Sequence, residues 1–432
     1  MNLILILIAE ICIASLTKNT IHYSIMELIL IIINIFLVGL YISTKTENKK
    51  TLIIIYFGYL VRILLMFYDF YRAPLPFSGG DTWSFHNTGI KVAEALPHTL
   101  LDSPYGVYAQ FVGVIYYMFG GPVKMFVQSI NIILFILSTI KIVEILKLYK
   151  VDEKYINLSM VLYTWLMPVA MFQSAILLRE MLIVYFMTLS ICSLLKWLKD
   201  YKSINIVSSY VYVFLAASFH SGLVFIILPY TYIVAAYDTK HKKFIVTPKS
   251  VMLLMVVIGV VILGFNIFGE NFVHLEGMEN LESIIDTVNR SEIAKESGSG
   301  YLTWLKVGGA TGLVLLTPLK VLYFLFSPMP WQIRGVMDAI TFLLDSTLYI
   351  IAIYMYKNMK KEKGKVPVDI YNVVRILYNT YLIMVIPYAW GTFAAGTAIR
   401  HRFKGFFIIL IAYTIYRSYL EKYNKENELV RS

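Results

Sequence analysis

Residues 25–43 read IMELILIIINIFLVGLYIS, an apolar stretch long enough to cross a hydrocarbon core as a helix. Comparable runs recur at 51–69, 121–146, 156–173, 181–198, 204–219, 221–237, 249–268, 336–356, 371–389 and 403–417, with a shorter one at 2–16. A water-soluble fold has no interior large enough for so many. Hydrophobic residues make up 58% of the 432 and charged residues 15%, and the mean hydropathy is +0.69. Inside a bilayer every backbone polar group must be bonded internally, so such runs become helices. The expectation is an all-α, polytopic membrane helix bundle of about 12 transmembrane helices, forming one integral membrane domain over residues 1–432.

The net charge of +11 does not indicate a nucleic-acid partner. The lysines fall in short loops between apolar runs: STKTENKK (43–50), 141–154, KWLKDYK (196–202), DTKHKK (238–243), YKNMKKEKGK (356–365) and the tail from Arg417. The positive-inside rule assigns these loops to the cytoplasm of a multi-pass protein of the cell (plasma) membrane, with both termini cytoplasmic, including a tail over 418–432. Two non-cytoplasmic segments result. One is 70–106. The other is the acidic loop 269–303, which carries Glu270, Glu276, Glu279, Glu282, Asp286, Glu292 and Glu296 against Arg290 and Lys295. Parity makes 107–119, VYAQFVGVIYYMF, a half-helix at the outer face. It also makes 304–327, interrupted by Gly308-Gly309 and Thr317-Pro318, a re-entrant or broken pair. The first run lacks a basic leader and reads as a retained anchor. Cys12 and Cys192 both sit in apolar runs, so no disulfide framework or cysteine-based metal site is expected.

On this topology the unusual polar residues reach the outer face from separate stretches. FSGGDTWSFHNTG (77–89) brings Asp81 and His86, LLREMLIVYF (177–186) brings Arg179 and Glu180, and ASFHSG (217–222) brings His220. SPMPWQIRG (327–335) brings Arg334, and GTAIRHRFKG (396–405) brings Arg400, His401 and Arg402 just ahead of the last run. After two glycines, Asp81 is either a general base or cation ligand at a cavity mouth, or the cap of the next helix. Arg179 and Glu180 either line an outer cavity or form an ion-paired helix start. Guanidinium forks match phosphate oxygens, which makes Arg400 and Arg402 candidate phosphate ligands. His220 is either functional or a helix-end residue. Arg62, inside the third run, is expected to pair with a carboxylate such as Asp69 or Glu10.

GGDTWSFH, followed by the amphipathic VYAQFVGVIYYMFGG and then QSINIILFIL, resembles the acid-bearing first outer loop of GT-C-type membrane glycosyltransferases. LLREMLIVYF followed by ASFHSG is similar to a pattern of Wzy-type (EpsG-like) oligosaccharide repeat-unit polymerases. The likeness covers about residues 50–235 and the basic motif near 400. It implies cell-envelope polysaccharide biosynthesis: transfer or polymerisation of glycosyl units from a polyprenyl-(pyro)phosphate-linked donor at the outer face. The partners would be that donor, a glycan or lipid-linked acceptor, and membrane lipids. On the resemblance, Asp81 is the first-loop catalytic acid, Glu180 the second acidic position and His220 a further catalytic residue. Arg179, Arg400 and Arg402, with His86, Arg334 and His401, hold the lipid (pyro)phosphate. The chain departs from the transferase pattern in having no second acid beside Asp81, and from the polymerase pattern in having Glu180 where glutamine is usual. The metal requirement is open, a divalent cation being one possibility and no other cofactor being implied. The rival expectation is a transporter or flippase of lipid-linked oligosaccharides, a class built on discontinuous helices.

Overall fold

The computed structural model describes residues 2–98, 106–239, 241–268, 285–286, 288–289 and 299–431. Among the described residues the fold is all-helical, 82% helix against 2% strand. Its helices are α1 (Leu3–Thr17), α2 (Tyr23–Lys45), α3 (Lys49–Tyr71), α4 (Gly80–Ala95), α5 (Gly106–Phe119), α6 (Lys124–Leu148), α7 (Glu153–Thr164) and α8 (Pro168–Ala175). They continue with α9 (Glu180–Asp200), α10 (Ser203–Phe219), α11 (Ile227–Ala236), α12 (Pro248–Phe268), α13 (Gly309–Phe326), α14 (Val336–Lys361), α15 (Val368–Trp390) and α16 (Ala395–Arg431). Of the acids expected in the loop 269–303, only Asp286 falls among the described residues; Arg290, Lys295 and residues 99–105 also lie outside them.

Among the described residues, eight helices are long and apolar enough to cross a membrane: α2, α3, α6, α9, α13, α14, α15 and α16. A ninth span results if α7 and α8, bent by 60° at their junction, count as one. The expectation of about 12 rested on hydropathy, which does not see where a run is cut. The run at 156–173 is cut at Pro168, which has no N–H to donate and holds Met167 extended (φ −108°, ψ 95°). The runs at 204–219 and 221–237 form short helices separated at His220, where a 3₁₀ turn (Ser221–Ile226) intervenes. Conversely, 304–327 is not a broken pair: α13 runs unbroken through Pro318. Thr317 Oγ1 donates to Leu313 O at 2.7 Å and accepts from Trp390 Nε1 at 2.9 Å, anchoring the helix at the proline.

The chain forms two compact units, Met1–Lys141 with Met160–Tyr185 and Ile142–Ser159 with Phe186–Ser432, whose boundaries fall within α6, α7 and α9. In the first, α4 lies close against α5 because both present glycines. A Cβ at Gly113 would stand 2.5 Å from Val92, and one at Gly89 2.7 Å from Val112. Small residues of this kind let two helix backbones approach where no hydrophobic force drives them together. In the second unit α15 and α16 pair in the same way, a Cβ at Gly405 meeting Met384 at 2.6 Å. Tyr237–Asp238 and Lys243–Phe244 form a small antiparallel hairpin there.

Candidate functional site

In the first unit the motif-bearing stretches come together around one aromatic ring. Asp81 sits exposed in the first turn of α4, where the helix dipole favours a carboxylate, while the N-cap position belongs to Gly79. Phe85, one turn on, is buried; it meets the Tyr108 ring edge-on at 4.8 Å and the Arg179 guanidinium at 5.9 Å. The Asn131 side chain donates to Ile176 O and Leu178 O, both at 2.9 Å, and its Nδ2 lies 3.5 Å from Tyr108 Oη. Those carbonyls belong to the non-helical link between α8 and α9. A single amide therefore fixes the strand of backbone that delivers half-buried Arg179 and, as the first residue of α9, buried Glu180. A carboxylate at a helix start suits the unsatisfied N–H groups there.

Beside α4 lies a cleft of about 520 Å³ that the sequence did not announce, lined among others by Glu27, Asp69, Arg72, Trp83, His86 and Lys124. Asp69 is its organiser. It accepts from Gln128 Nε2 at 2.9 Å, Lys124 Nζ at 3.3 Å and the Leu75 N–H at 3.0 Å. The Lys124 ammonium also lies 5.4 Å from the centroid of the Trp83 ring, and Glu27 accepts from the Phe126 N–H. His86 Nδ1 and Tyr116 Oη are 2.9 Å apart. Burial, and then the nearby Lys124 ammonium, hold the imidazole below its usual 6.5. His86 thus enters the cleft as a hydrogen-bonding group whose charged form is disfavoured. The signal that could have found this cleft was a charge near the end of each of three apolar runs, at Glu27, Asp69 and Lys124.

Arg62, expected to pair with Asp69 or Glu10, pairs with neither. Its Nε donates to Ser174 Oγ at 2.9 Å, its Nη1 to Gly58 O at 2.8 Å, and its guanidinium lies 4.1 Å from the Phe135 ring centroid. Asp69 is taken by Lys124 and Gln128, and Glu10 by Asn34 at 3.0 Å.

In the second unit, ASFHSG and GTAIRHRFKG come together. The His220 and His401 rings are 4.9 Å apart, and Tyr388 lies 4.9 Å from the first and 5.0 Å from the second. Tyr388 Oη is 3.3 Å from His220 Nδ1, and Lys404 Nζ is 2.8 Å from His401 Nδ1. An ammonium donates and accepts nothing, so His401 Nδ1 accepts and its ring proton resides on Nε2. This Tyr–His–His–Lys group can bind an anion or relay a proton. Lys404 and Tyr388 were not foreseen, because each lies inside an apolar helix.

Two of the expected phosphate ligands are engaged elsewhere. Arg400, His401 and Arg402 lie within α16, not ahead of it. Arg402 is 1% exposed and donates to Leu325 O, Ser327 O and Asp345 Oδ2 (3.3 Å), tying the last carbonyls of α13 to a π turn in α14. It is a structural lock, since its burial and these three bonds leave it turned away from solvent. Arg334 is exposed just ahead of α14 and pairs with Asp338 in the first turn of that helix at 3.2 Å. Arg400 is half-buried on α16. Among the described residues no group of three or more His, Cys, Asp or Glu side chains is arranged to hold a metal ion. No protein-family model, no curated protein and no solved structure matches this chain.

Proposed function

We propose that this protein is a membrane enzyme of polysaccharide assembly. It transfers or polymerises glycosyl units from a polyprenyl-(pyro)phosphate-linked donor onto a hydroxyl of a glycan or lipid-linked acceptor. One observation carries the reading: the stretches 77–89, 107–119, 128–137 and 177–186, which resemble parts of such enzymes, are joined in one unit through Phe85, Tyr108, Asn131 and Arg179. Exposed Asp81 takes the proton of the attacking hydroxyl as the bond from the sugar's anomeric carbon to the phosphate oxygen breaks. The lipid (pyro)phosphate leaves as an anion, stabilised by guanidinium and ammonium groups. Arg179 is the candidate in the first unit. Arg400, His401 and Lys404 are the candidates in the second, with Arg402 removed from that role. The lysine-rich loops support a non-cytoplasmic side for this chemistry.

The bent α7–α8 pair favours a second reading, a flippase for the same lipid-linked sugars, since broken helices line transport pathways. Proteoliposomes loaded with a polyprenyl-pyrophosphate oligosaccharide separate the two. Chain extension that falls about 10²-fold or more in Asp81→Asn, with the variant still folded, supports the enzyme. Equal extension by wild type and Asp81→Asn overturns the site. Movement of the lipid between leaflets without extension establishes the flippase.

A further inference from the structure

Inside the apolar length of α15 stands one arginine, Arg375, two turns from the helix start. It is half-buried, and its guanidinium lies 4.8 Å from the Phe244 ring centroid and 5.9 Å from that of Tyr371. Among the described residues no carboxylate forms an ion pair with it. The acid closest to it in sequence, Asp369, is held by Lys242 at 3.6 Å. A cation within a spanning helix is costly unless something compensates it, and two aromatic faces do so only in part.

Arg375 opens onto a cleft of about 440 Å³ whose walls are Phe244 and Ile233 on one side and Thr380, Leu382 and Ile383 on the other. From Arg375 to Ile383 the α15 face runs about 12 Å, with Asn379 and Thr380 midway and apolar Leu382 and Ile383 beyond. Thr380 is fully buried, yet its Oγ1 has no hydrogen-bond partner among the described residues. The surroundings of Arg375 are basic. Lys242 and Lys243 are exposed on the adjoining hairpin, and the Lys363 ammonium lies 5.6 Å from the same Tyr371 ring. Charge at one end, a polar group inside and an apolar wall beyond match the parts of a glycerophospholipid in order. Basic pockets between membrane helices bind anionic headgroups in this way.

We infer that this cleft is a binding site for an anionic phospholipid, its phosphate on Arg375 and an acyl chain along Leu382 and Ile383. The site is separate from the His220–Tyr388–His401 group, because Arg375 and Tyr388 stand about 20 Å apart along α15. It is also independent of the proposed chemistry.

The test uses full-length detergent-purified protein and tail-labelled phosphatidylglycerol, with phosphatidylcholine as the neutral comparison. Phosphatidylglycerol binds more tightly, and Arg375→Gln weakens it about ten-fold while leaving phosphatidylcholine unchanged. Leu382→Trp, which keeps the charge and fills the cleft, weakens it similarly, whereas Lys50→Gln at an exposed site in the first unit does not. Equal binding of the two lipids, or unchanged binding by folded Arg375→Gln and Leu382→Trp, overturns the inference. So does displacement of the label by inorganic phosphate alone, which identifies a soluble anion as the occupant. Displacement by polyprenyl phosphate at far lower concentration than by phosphatidylglycerol overturns the phospholipid assignment in favour of the donor lipid.

Discussion

Each unit buries an arginine completely, and the two are compensated by different chemistry. Arg62 in the first unit is surrounded by neutral partners: a serine hydroxyl, a helix carbonyl and the face of Phe135. Arg402 in the second is matched by a full opposite charge, Asp345, as well as two carbonyls. The same contrast extends to the candidate sites. Arg179 and Glu180 are positioned by an uncharged asparagine holding backbone carbonyls, whereas His401 is set by a lysine. An arginine held by dipoles tolerates the loss of any one of them. An arginine held by a carboxylate depends on that carboxylate.

The largest effect follows directly. Asp345→Ala leaves the Arg402 charge buried without its counterion and is expected to destabilise the protein by about 3–5 kcal/mol. Asp345→Asn retains an acceptor for the guanidinium and loses less. Replacing both partners with apolar residues, Asp345→Leu with Arg402→Met, recovers most of the loss, because the desolvation penalty disappears with the charges. Thermal unfolding in detergent, followed by size-exclusion monodispersity, ranks the three. In the first unit, Ser174→Ala removes one hydrogen bond to Arg62 and is expected to lose only about 1–2 kcal/mol. If Ser174→Ala matched Asp345→Ala, the two arginines would be compensated alike and the contrast would fail.

Much of this architecture was legible in the sequence where one physical rule dominated. Apolar runs at 25–43, 51–69, 121–146, 181–198, 336–356, 371–389 and 403–417 each coincide, to within a few residues, with a helix long enough to span. Glu180 opens α9 and His220 ends α10, as their positions at the ends of apolar runs implied. Misreadings arose where tertiary partners reversed a local rule. Pro318 and Lys320 argued for a break at 304–327, yet Thr317 is tied to Trp390 and the Lys320 ammonium lies 4.6 Å from the Phe393 ring centroid. Nothing local to α13 announces either partner. Arg402 looked like a phosphate ligand because it stands in an Arg-His-Arg cluster, but Asp345 claims it from a distant helix. The Asp69 cleft was missed for the same reason: its members come from different apolar runs, and only the fold places them around one cavity.

The smallest expected effect sharpens the contrast in the cleft, where a neutral group sits beside a charged one. Burial disfavours the charged form of His86, and the Lys124 ammonium adds to that, so its folded-state proton affinity lies below the usual 6.5. The unfolded chain therefore binds a proton more readily than the folded one. The stability contributed by neutral His86 is complete above pH 6.5 and declines as pH falls through 6.5 toward the lowered folded value. Wild type is thus expected to lose more of its unfolding temperature between pH 7.5 and pH 5.5 than His86→Gln does. The other groups lining the cleft are the same in both proteins, so the difference between the two profiles isolates the imidazole. Tyr116→Phe removes the hydroxyl 2.9 Å from Nδ1 but leaves the burial and Lys124 in place, so it keeps the sign of that difference. A profile for His86→Gln as steep as that of wild type would mean that His86 carries its proton without penalty, and the cleft would then be an acidic site and not a mixed one.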